Sequence, residues 1–339
     1  MIRNLLFIFL FCTGNVFADY QNNEVKDFID YMYKEYSYDK NTLRELFSEI
    51  QSQPKIKKYF KKAPERILTW NGCQKSDKNC TNYKNLFVTK SNISQGLEFW
   101  EKNKKVLQAA SQEFGVPPEI IISIIGIESK YGARTGTFKT FDTLASLSLG
   151  PNKGRRAKFY RSELINFLLM CKENNFNPKN IRGSYAGALG KPQFISSSYR
   201  HYAVDFNNDQ KIDLWNSNED IIGSVANYFK KNGWKKGQPI MTNFKSNAAN
   251  RKSIDKESLK SYKPSTPYKY FKDLNILASR NISDSTLLSI IRRKEQSGKS
   301  YSFGHKNFYV ITRYNRSRLY ALAVFFLSKE IKKAKSTVQ

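Results

Sequence analysis

Apolar positions recur at helical spacing along most of the chain. Val25, Phe28, Ile29, Met32, Tyr33 and Tyr36 share one helix face, and Leu43, Leu46, Phe47 and Ile50 share another. Thr42 stands three residues before Glu45, a capping-box spacing that predicts the start of the second helix. Pro54 and Pro64 punctuate the chain after Ile50. Another helix is expected from around Phe99 and Trp100 to Phe114 and Gly115. Pro117 and Pro118 then introduce a helix from Glu119 to Lys130, with isoleucine at 120, 121, 124, 125 and 127 and Gly132 as its stop.

Helical patterns also fit Asp142 to Ser148, Ala157 to Lys172 and Asp220 to Lys231. Residues 238–312 are richer in Lys, Ser and Asn. Their turn signals and short β-like runs, such as Phe308 to Thr312, predict a small, partly β appendage. Leu319 to Ile331 reads as an apolar closing helix, and no internal repeat is present. The pattern predicts a mainly α protein. Its expected parts are a leader (1–18), a helical N-terminal domain (19–80), a core (81–237), the β appendage (238–312) and a C-terminal helix (313–339) packing on the helical domain.

A chain of 339 residues suggests two domains or one large core with appendages. With 40% apolar residues, 24 Phe and 20 Tyr, it can fill a sizeable core, which excludes wholesale disorder. Two histidines, His201 and His305, leave little room for a His-rich zinc or haem site. Arg3, the apolar run Leu5 to Cys12 and the small-residue-ended Val16-Phe17-Ala18 read as an export signal cut before Asp19. That run is too short to span a bilayer. Lipid attachment at Cys12 is the alternative, disfavoured by the bulky Phe11 before it. An exported, soluble protein is therefore expected.

Charge narrows the partners. Lys and Arg number 57 against 29 acidic residues, and loss of Arg3 with the leader lowers the net charge from +28 to +27. Such an excess suits nucleic acid, an acidic membrane face or an anionic wall glycan. Export argues against nucleic acid, and a Lys-rich proteome would also account for much of the charge. Cys73 and Cys80 could close a small loop in an oxidising compartment, whereas Cys171 lies in an apolar helical run and reads as inert core.

Three segments could carry chemistry. Glu128 ends the most apolar stretch of the chain, where a carboxyl is hard to ionise and suits a general acid for glycosidic cleavage. The alternative is a Glu on the solvated edge of an ordinary helix. The glycines of Gly183-Ser-Tyr-Ala-Gly187-Ala-Leu-Gly190-Lys-Pro-Gln193 would let backbone approach a ligand, with Gln193 as donor and acceptor; a plain glycine-rich turn is the alternative. Asp205, Asn207, Asp209 and the Lys211 carbonyl are spaced like calcium ligands. Gln210 replaces the usual glycine there, and the loop could close on Glu219 or Asp220. A polar Asx-turn loop is the other reading.

These pieces, in this order, resemble one family. Gly126-Ile-Glu128-Ser-Lys-Tyr131-Gly132, the glycine segment to Phe194, Tyr202-Ala-Val-Asp205-Phe and Ile222-Gly-Ser-Val-Ala-Asn227-Tyr228-Phe resemble the membrane-bound lytic murein transglycosylase B family, as does Thr312-Arg-Tyr314-Asn. The resemblance covers about Phe99 to Trp234 and about Phe308 to Leu327. It implies a lysozyme-like helical core with one EF-hand-like calcium site, and peptidoglycan glycan strands as substrate, cut to leave 1,6-anhydro ends. Glu128 would be the sole catalytic acid/base. Ser184, Gln193, Tyr228, Tyr314 and Tyr320 would line the sugar groove, Tyr83 less firmly, and Arg155 and Arg156 would hold stem-peptide carboxylates. Asp220 would close the metal loop with Asp205, Asn207, Asp209 and Lys211, calcium being structural and no cofactor being needed for the chemistry. The Lys191-Pro192 pair departs from the family pattern at the groove edge. A monomer, with wall-synthesis proteins as partners, is expected. The rival readings are a hydrolytic muramidase and a non-catalytic basic wall-binding module.

Overall fold

The computed structural model describes residues 23–51, 56, 64–73, 81–150 and 153–338. The leader, Cys12 and Cys80 lie outside the described residues. The chain forms two compact units, Met1–Lys57 with Thr137–Ala188, and Lys58–Gly136 with Leu189–Gln339. The units thus interleave in sequence.

In the first unit, helices Asn23–Tyr36 and Lys40–Ser48 meet through Phe28 and Phe47, whose rings stand edge to face at 5.8 Å. Phe47 meets Phe141 of helix Thr140–Ser148 at 5.2 Å. That helix lies against Ala157–Glu173, which buries Leu164, Phe167, Leu168 and Met170. Asp39, rather than Thr42, caps the second helix: its carboxylate accepts the Thr42 N–H at 2.6 Å. An aspartate offers the terminal N–H groups a charged acceptor, which Thr42 does not. Cys171 is buried and free, as expected of core, and burial pushes its thiol up to about 12.

The second unit is built on helix Pro118–Ser129, which buries Ile120, Ile121, Ile122, Ile124 and Ile125. Helices Lys90–Lys102 and Arg318–Val338 pack on it. The C-terminal helix is therefore part of the core around Glu128, where an apolar helix finds a matching apolar surface. The single helix expected from Phe99 to Phe114 is broken at Asn103 into Lys90–Lys102 and Lys104–Phe114. Asn103 turns its amide back onto the Phe99 carbonyl at 2.8 Å and ends the first helix.

The appendage belongs to this unit. Strands Met241–Thr242, Gly298–Gly304, Leu287–Glu295 and Thr266–Pro267 form an antiparallel sheet in that spatial order. Leu288, Ile290 and Phe303 pack with Ile254, Tyr268, Phe271 and Ile276 beneath it. The β-like run Phe308 to Thr312 is instead inside helix Lys306–Tyr314, which buries Phe308, Val310, Ile311 and Thr312. Tertiary burial of that face overrides the β-branched preference of a short run. Among the described residues, no helix is long and apolar enough to cross a membrane.

Candidate active site

Glu128 sits in the last turn of the Pro118–Ser129 helix. The helix stops at Lys130 rather than Gly132. Lys130 and Tyr131 are both left-handed, at φ 49° and 57°. This reversal folds the Tyr131 ring back over its own helix, where its hydroxyl donates to the Asn92 carbonyl at 2.8 Å. A Cβ on Gly126 would lie 2.5 Å from that hydroxyl oxygen, so the close approach requires glycine.

Aromatic side chains surround the carboxyl. Tyr320, from the C-terminal helix, donates its hydroxyl to Glu128 Oε1 at 2.6 Å. The Tyr314 ring lies parallel to that of Tyr320, with centroids 6.3 Å apart, and its hydroxyl donates to the Pro192 carbonyl at 2.6 Å. Tyr228, on helix Asn218–Lys231, stands 4.7 Å from the Tyr314 ring and donates to the Arg313 carbonyl. Burial raises the pKa of the Glu128 carboxyl to about 7; the like charge of Glu65 adds to this, and the Tyr320 hydrogen bond opposes it. Burial likewise pushes the Tyr83, Tyr228, Tyr314 and Tyr320 phenols upward, so they serve as neutral donors. Tyr83 and Tyr320 are buried, at 0% and 2% exposure, with their hydroxyls on Glu65 and on Glu128.

The glycine segment places Gln193. Leu189 and Phe194 exchange backbone hydrogen bonds at 2.7 and 3.1 Å, closing a tight loop between them. Gly190 turns that loop at φ 62°, and a Cβ there would lie 2.3 Å from the Leu214 carbonyl oxygen. Gln193 spends its amide N–H groups on the Gly190 and Thr135 carbonyls, at 2.8 and 3.0 Å. Lys191 runs over Gly132 and donates to Asn218 at 2.9 Å.

Ser184, Arg155 and Arg156 belong to the first unit. The Ser184 hydroxyl accepts the Ala186 and Ala188 N–H groups and so ties its own turn. Arg155 and Arg156 are exposed just before helix Ala157–Glu173, and the Arg156 guanidinium lies 4.4 Å from the Phe159 ring centroid.

The 205–220 loop is organised by its own carboxylates. Asp220 is fully buried, and its two oxygens accept the Phe206 and Asp213 N–H groups, each at 2.8 Å. It therefore pins both ends of the loop. Burial pushes its carboxyl upward. Asp205 accepts from Gln210 and Asp209, and Asp209 accepts from Lys211. Gln210 adopts φ 68°, the conformation for which a calcium loop normally employs glycine. Among the described residues no three His, Cys, Asp or Glu side chains already converge as a metal cage. The donor set is nonetheless hard oxygen throughout, and each carboxylate oxygen can accept more than one bond. The loop thus fits calcium by donor chemistry and by backbone.

The sequence pattern gives no sign of one carboxylate that the fold brings to Tyr83. Glu65, on the short helix Pro64–Ile67, accepts the Tyr83 hydroxyl at 2.8 Å and acts on Glu128 through its charge. It sits in a Lys-rich stretch far from Glu128 in sequence, with no local pattern to mark it.

Residues 20–329 match the Transglycosylase SLT domain family. The chain belongs to the SLT transglycosylase family. It is 35% identical over 317 residues to the membrane-bound lytic murein transglycosylase B of Escherichia coli K12, covering 93% of this chain and 84% of that protein. It overlays the catenated lytic transglycosylase SltB1 of Pseudomonas aeruginosa with a TM-score of 0.84 and 36% identity, over 92% and 98% of the two chains. It also matches the E. coli lytic transglycosylase Slt35 in complex with calcium, with a TM-score of 0.80 and 34% identity over 95% and 96%. The mainly α fold with a lysozyme-like core, expected from the sequence, is the fold of this SLT transglycosylase.

Proposed function

We propose that this protein is an exported lytic transglycosylase that cuts peptidoglycan between N-acetylmuramic acid and N-acetylglucosamine. The observation that carries the reading is Glu128, a carboxyl raised to about 7 among buried tyrosines, in a chain of this family. Glu128 gives its proton to the glycosidic oxygen as the C1–O bond breaks. The muramoyl 6-hydroxyl then bonds to C1, and its proton passes to the Glu128 carboxylate. A 1,6-anhydro ring results, no water is consumed, and Glu128 ends protonated as it began. A pKa near the working pH suits one group that must be acid first and base second.

Gln193, Tyr228 and Tyr314 are proposed to contact sugar, and Tyr320 to hold the Glu128 carboxyl at the groove wall, with Tyr83 behind it. Ser184 is proposed to contact the glycan, and Arg155 and Arg156 the stem-peptide carboxylates, by charge-assisted hydrogen bonds. Asp205, Asn207, Asp209, the Lys211 carbonyl and Asp220 would hold calcium, which would stiffen the loop leading into helix Asn218–Lys231. The reading extends to a periplasmic location, a monomer, and wall-synthesis proteins as partners.

The rival is a hydrolytic muramidase, which needs a second carboxylate at the right spacing to activate water or attack the sugar. Mass spectrometry of muropeptides released from purified sacculi tests the two readings. Transglycosylation gives products lighter by one water than hydrolysis; products with only free reducing ends would assign the protein as a hydrolase.

A further inference from the structure

Between the sheet of the appendage and the C-terminal helix lies a cavity of about 360 Å³, a size within the range of small-ligand sites. Strand Leu287–Glu295 contributes Arg293 to it, and Asn243 enters just after strand Met241–Thr242. Arg280 follows strand Leu277–Ala278, and the C-terminal helix adds Phe325, Phe326 and Lys329. Among the described residues that line the cavity, three are cations and none is a carboxylate.

Arg293 is the fixed member. Its side chain is 11% exposed, and it stands opposite Ser300 in the strand register. Its Nε donates to Ser300 Oγ at 3.1 Å and lies 3.4 Å from Glu295 Oε1, while Nη1 donates to Ser302 Oγ at 2.9 Å. Nη2 has no acceptor among the described residues. Asn243 Oδ1 accepts the Ser302 hydroxyl at 3.1 Å, which leaves the Asn243 amide nitrogen as a donor. Neither Arg280 nor Lys329 has a carboxylate partner among the described residues, and the Lys329 ammonium lies 5.7 Å from the Phe325 ring centroid. The charged and amide groups left over around the cavity are thus all donors, and two phenyl rings share its wall.

We propose that this cavity is a second wall-binding site, which takes the terminal carboxylate of a peptidoglycan stem peptide. The inference rests on the transglycosylase reading for the source of that peptide. Donors and positive charge without an acceptor call for an anion. The Arg293 guanidinium, held in one orientation by two serines, suits a planar carboxylate, with Arg280 and Lys329 adding charge. Phe325 and Phe326 offer apolar surface to a methyl group beside that carboxylate, a contact that bare phosphate cannot use. Phe325, Phe326 and Lys329 follow Tyr320 on the same helix, roughly 8 to 14 Å along its axis. The cavity is therefore separate from the reacting carboxyl, and it anchors the wall without entering bond cleavage.

The test uses the full-length inactive Glu128→Gln protein. It is titrated with acetyl-D-alanyl-D-alanine as a mimic of a stem-peptide end, with the same peptide as its C-terminal amide, and with inorganic phosphate. Binding is followed by calorimetry and by backbone NMR. The peptide acid should shift the amide signals of Asn243, Ser279 and Arg280, and the amide form should bind roughly tenfold or more weakly, the scale of one charge-assisted hydrogen bond. Arg280→Ala combined with Lys329→Ala, both exposed positions, should weaken the peptide acid to a similar degree with no change in melting temperature. Arg293→Lys, which keeps the charge but loses the planar fork, should weaken it as well. Absence of binding, equal binding of acid and amide, shifts that avoid the cavity, or a folded variant that binds like its parent overturns the proposal. Phosphate binding as tightly as the peptide acid also overturns it, since the cavity would then recognise charge alone. If the peptide binds as expected but wild type releases no anhydro products from sacculi, the transglycosylase reading fails while the carboxylate site stands.

Discussion

The Tyr320 hydroxyl donates to Glu128 Oε1 across 2.6 Å, joining side chains 192 positions apart. Two effects meet in that bond. Burial resists ionisation of the carboxyl, while the phenol donor favours its charged form; burial wins, and the pKa stands at about 7. The bond orients the acid without forfeiting its proton.

Glu128→Gln keeps the side-chain shape but removes the transferable proton. Release of anhydro-muropeptides from sacculi should fall at least ~100-fold, the lower scale of general-acid catalysis. A nearly unimpaired glutamine variant would remove Glu128 from the mechanism.

Glu128 also makes stability depend on pH. Its pKa rises from an ordinary 4.5 to about 7 on folding, so between those values the native state holds a proton that the unfolded chain has released. Stability from this group is present below about 4.5 and is lost as pH climbs toward about 7. Melting temperatures of wild type and Glu128→Gln, compared across that window, should show the wild type losing ground as pH rises. Parallel curves would contradict the burial that raises the carboxyl.

Tyr320→Phe preserves the ring and deletes the donor that favours the charged carboxylate. The alkaline limb of activity should move to higher pH, with a lower plateau from poorer orientation of the acid. Movement of the limb to lower pH would reverse the assignment of that hydrogen bond.

The 205–220 loop holds two kinds of aspartate. Calcium should raise the melting temperature by binding the folded loop, and Asp205→Ala should abolish the rise with little loss of stability in chelator. Asp220→Ala should cost about 1–3 kcal/mol even in chelator, because it leaves the N–H groups of Phe206 and Asp213 without their acceptor. Thermal melts with calcium and with chelator check both; a wild-type melt indifferent to calcium would make the loop a polar turn.

Gly190→Ala should destabilise by about 1–3 kcal/mol, since its Cβ would press on the Leu214 carbonyl in a left-handed turn. As the turn also holds Gln193, KM on sacculi should rise. Denaturant unfolding and steady-state kinetics measure the two effects; an alanine variant unchanged in both would mean that the turn relaxes freely.

By itself the sequence determined the helices, because their faces repeat within a few residues of each other. It also marked Glu128, whose apolar surroundings are its own neighbours along one helix, and the order of motifs that implied the family. Asp39 and Thr42 are both capping residue types, and only the fold decides that Asp39 has the terminal N–H groups within reach. Phe308 to Thr312 looked like a strand because a short apolar run is ambiguous until a core claims one of its faces. The polar partners around Glu128 were decided by tertiary structure. Tyr320 arrives on the last helix, and Glu65 and Tyr83 arrive on segments with no apolar period of their own, pinned by Trp70 on Phe326 and Asn71 on Lys294. A carboxyl's proton affinity depends on charges and donors within a few ångströms in space, and chain separation places no limit on which residues supply them.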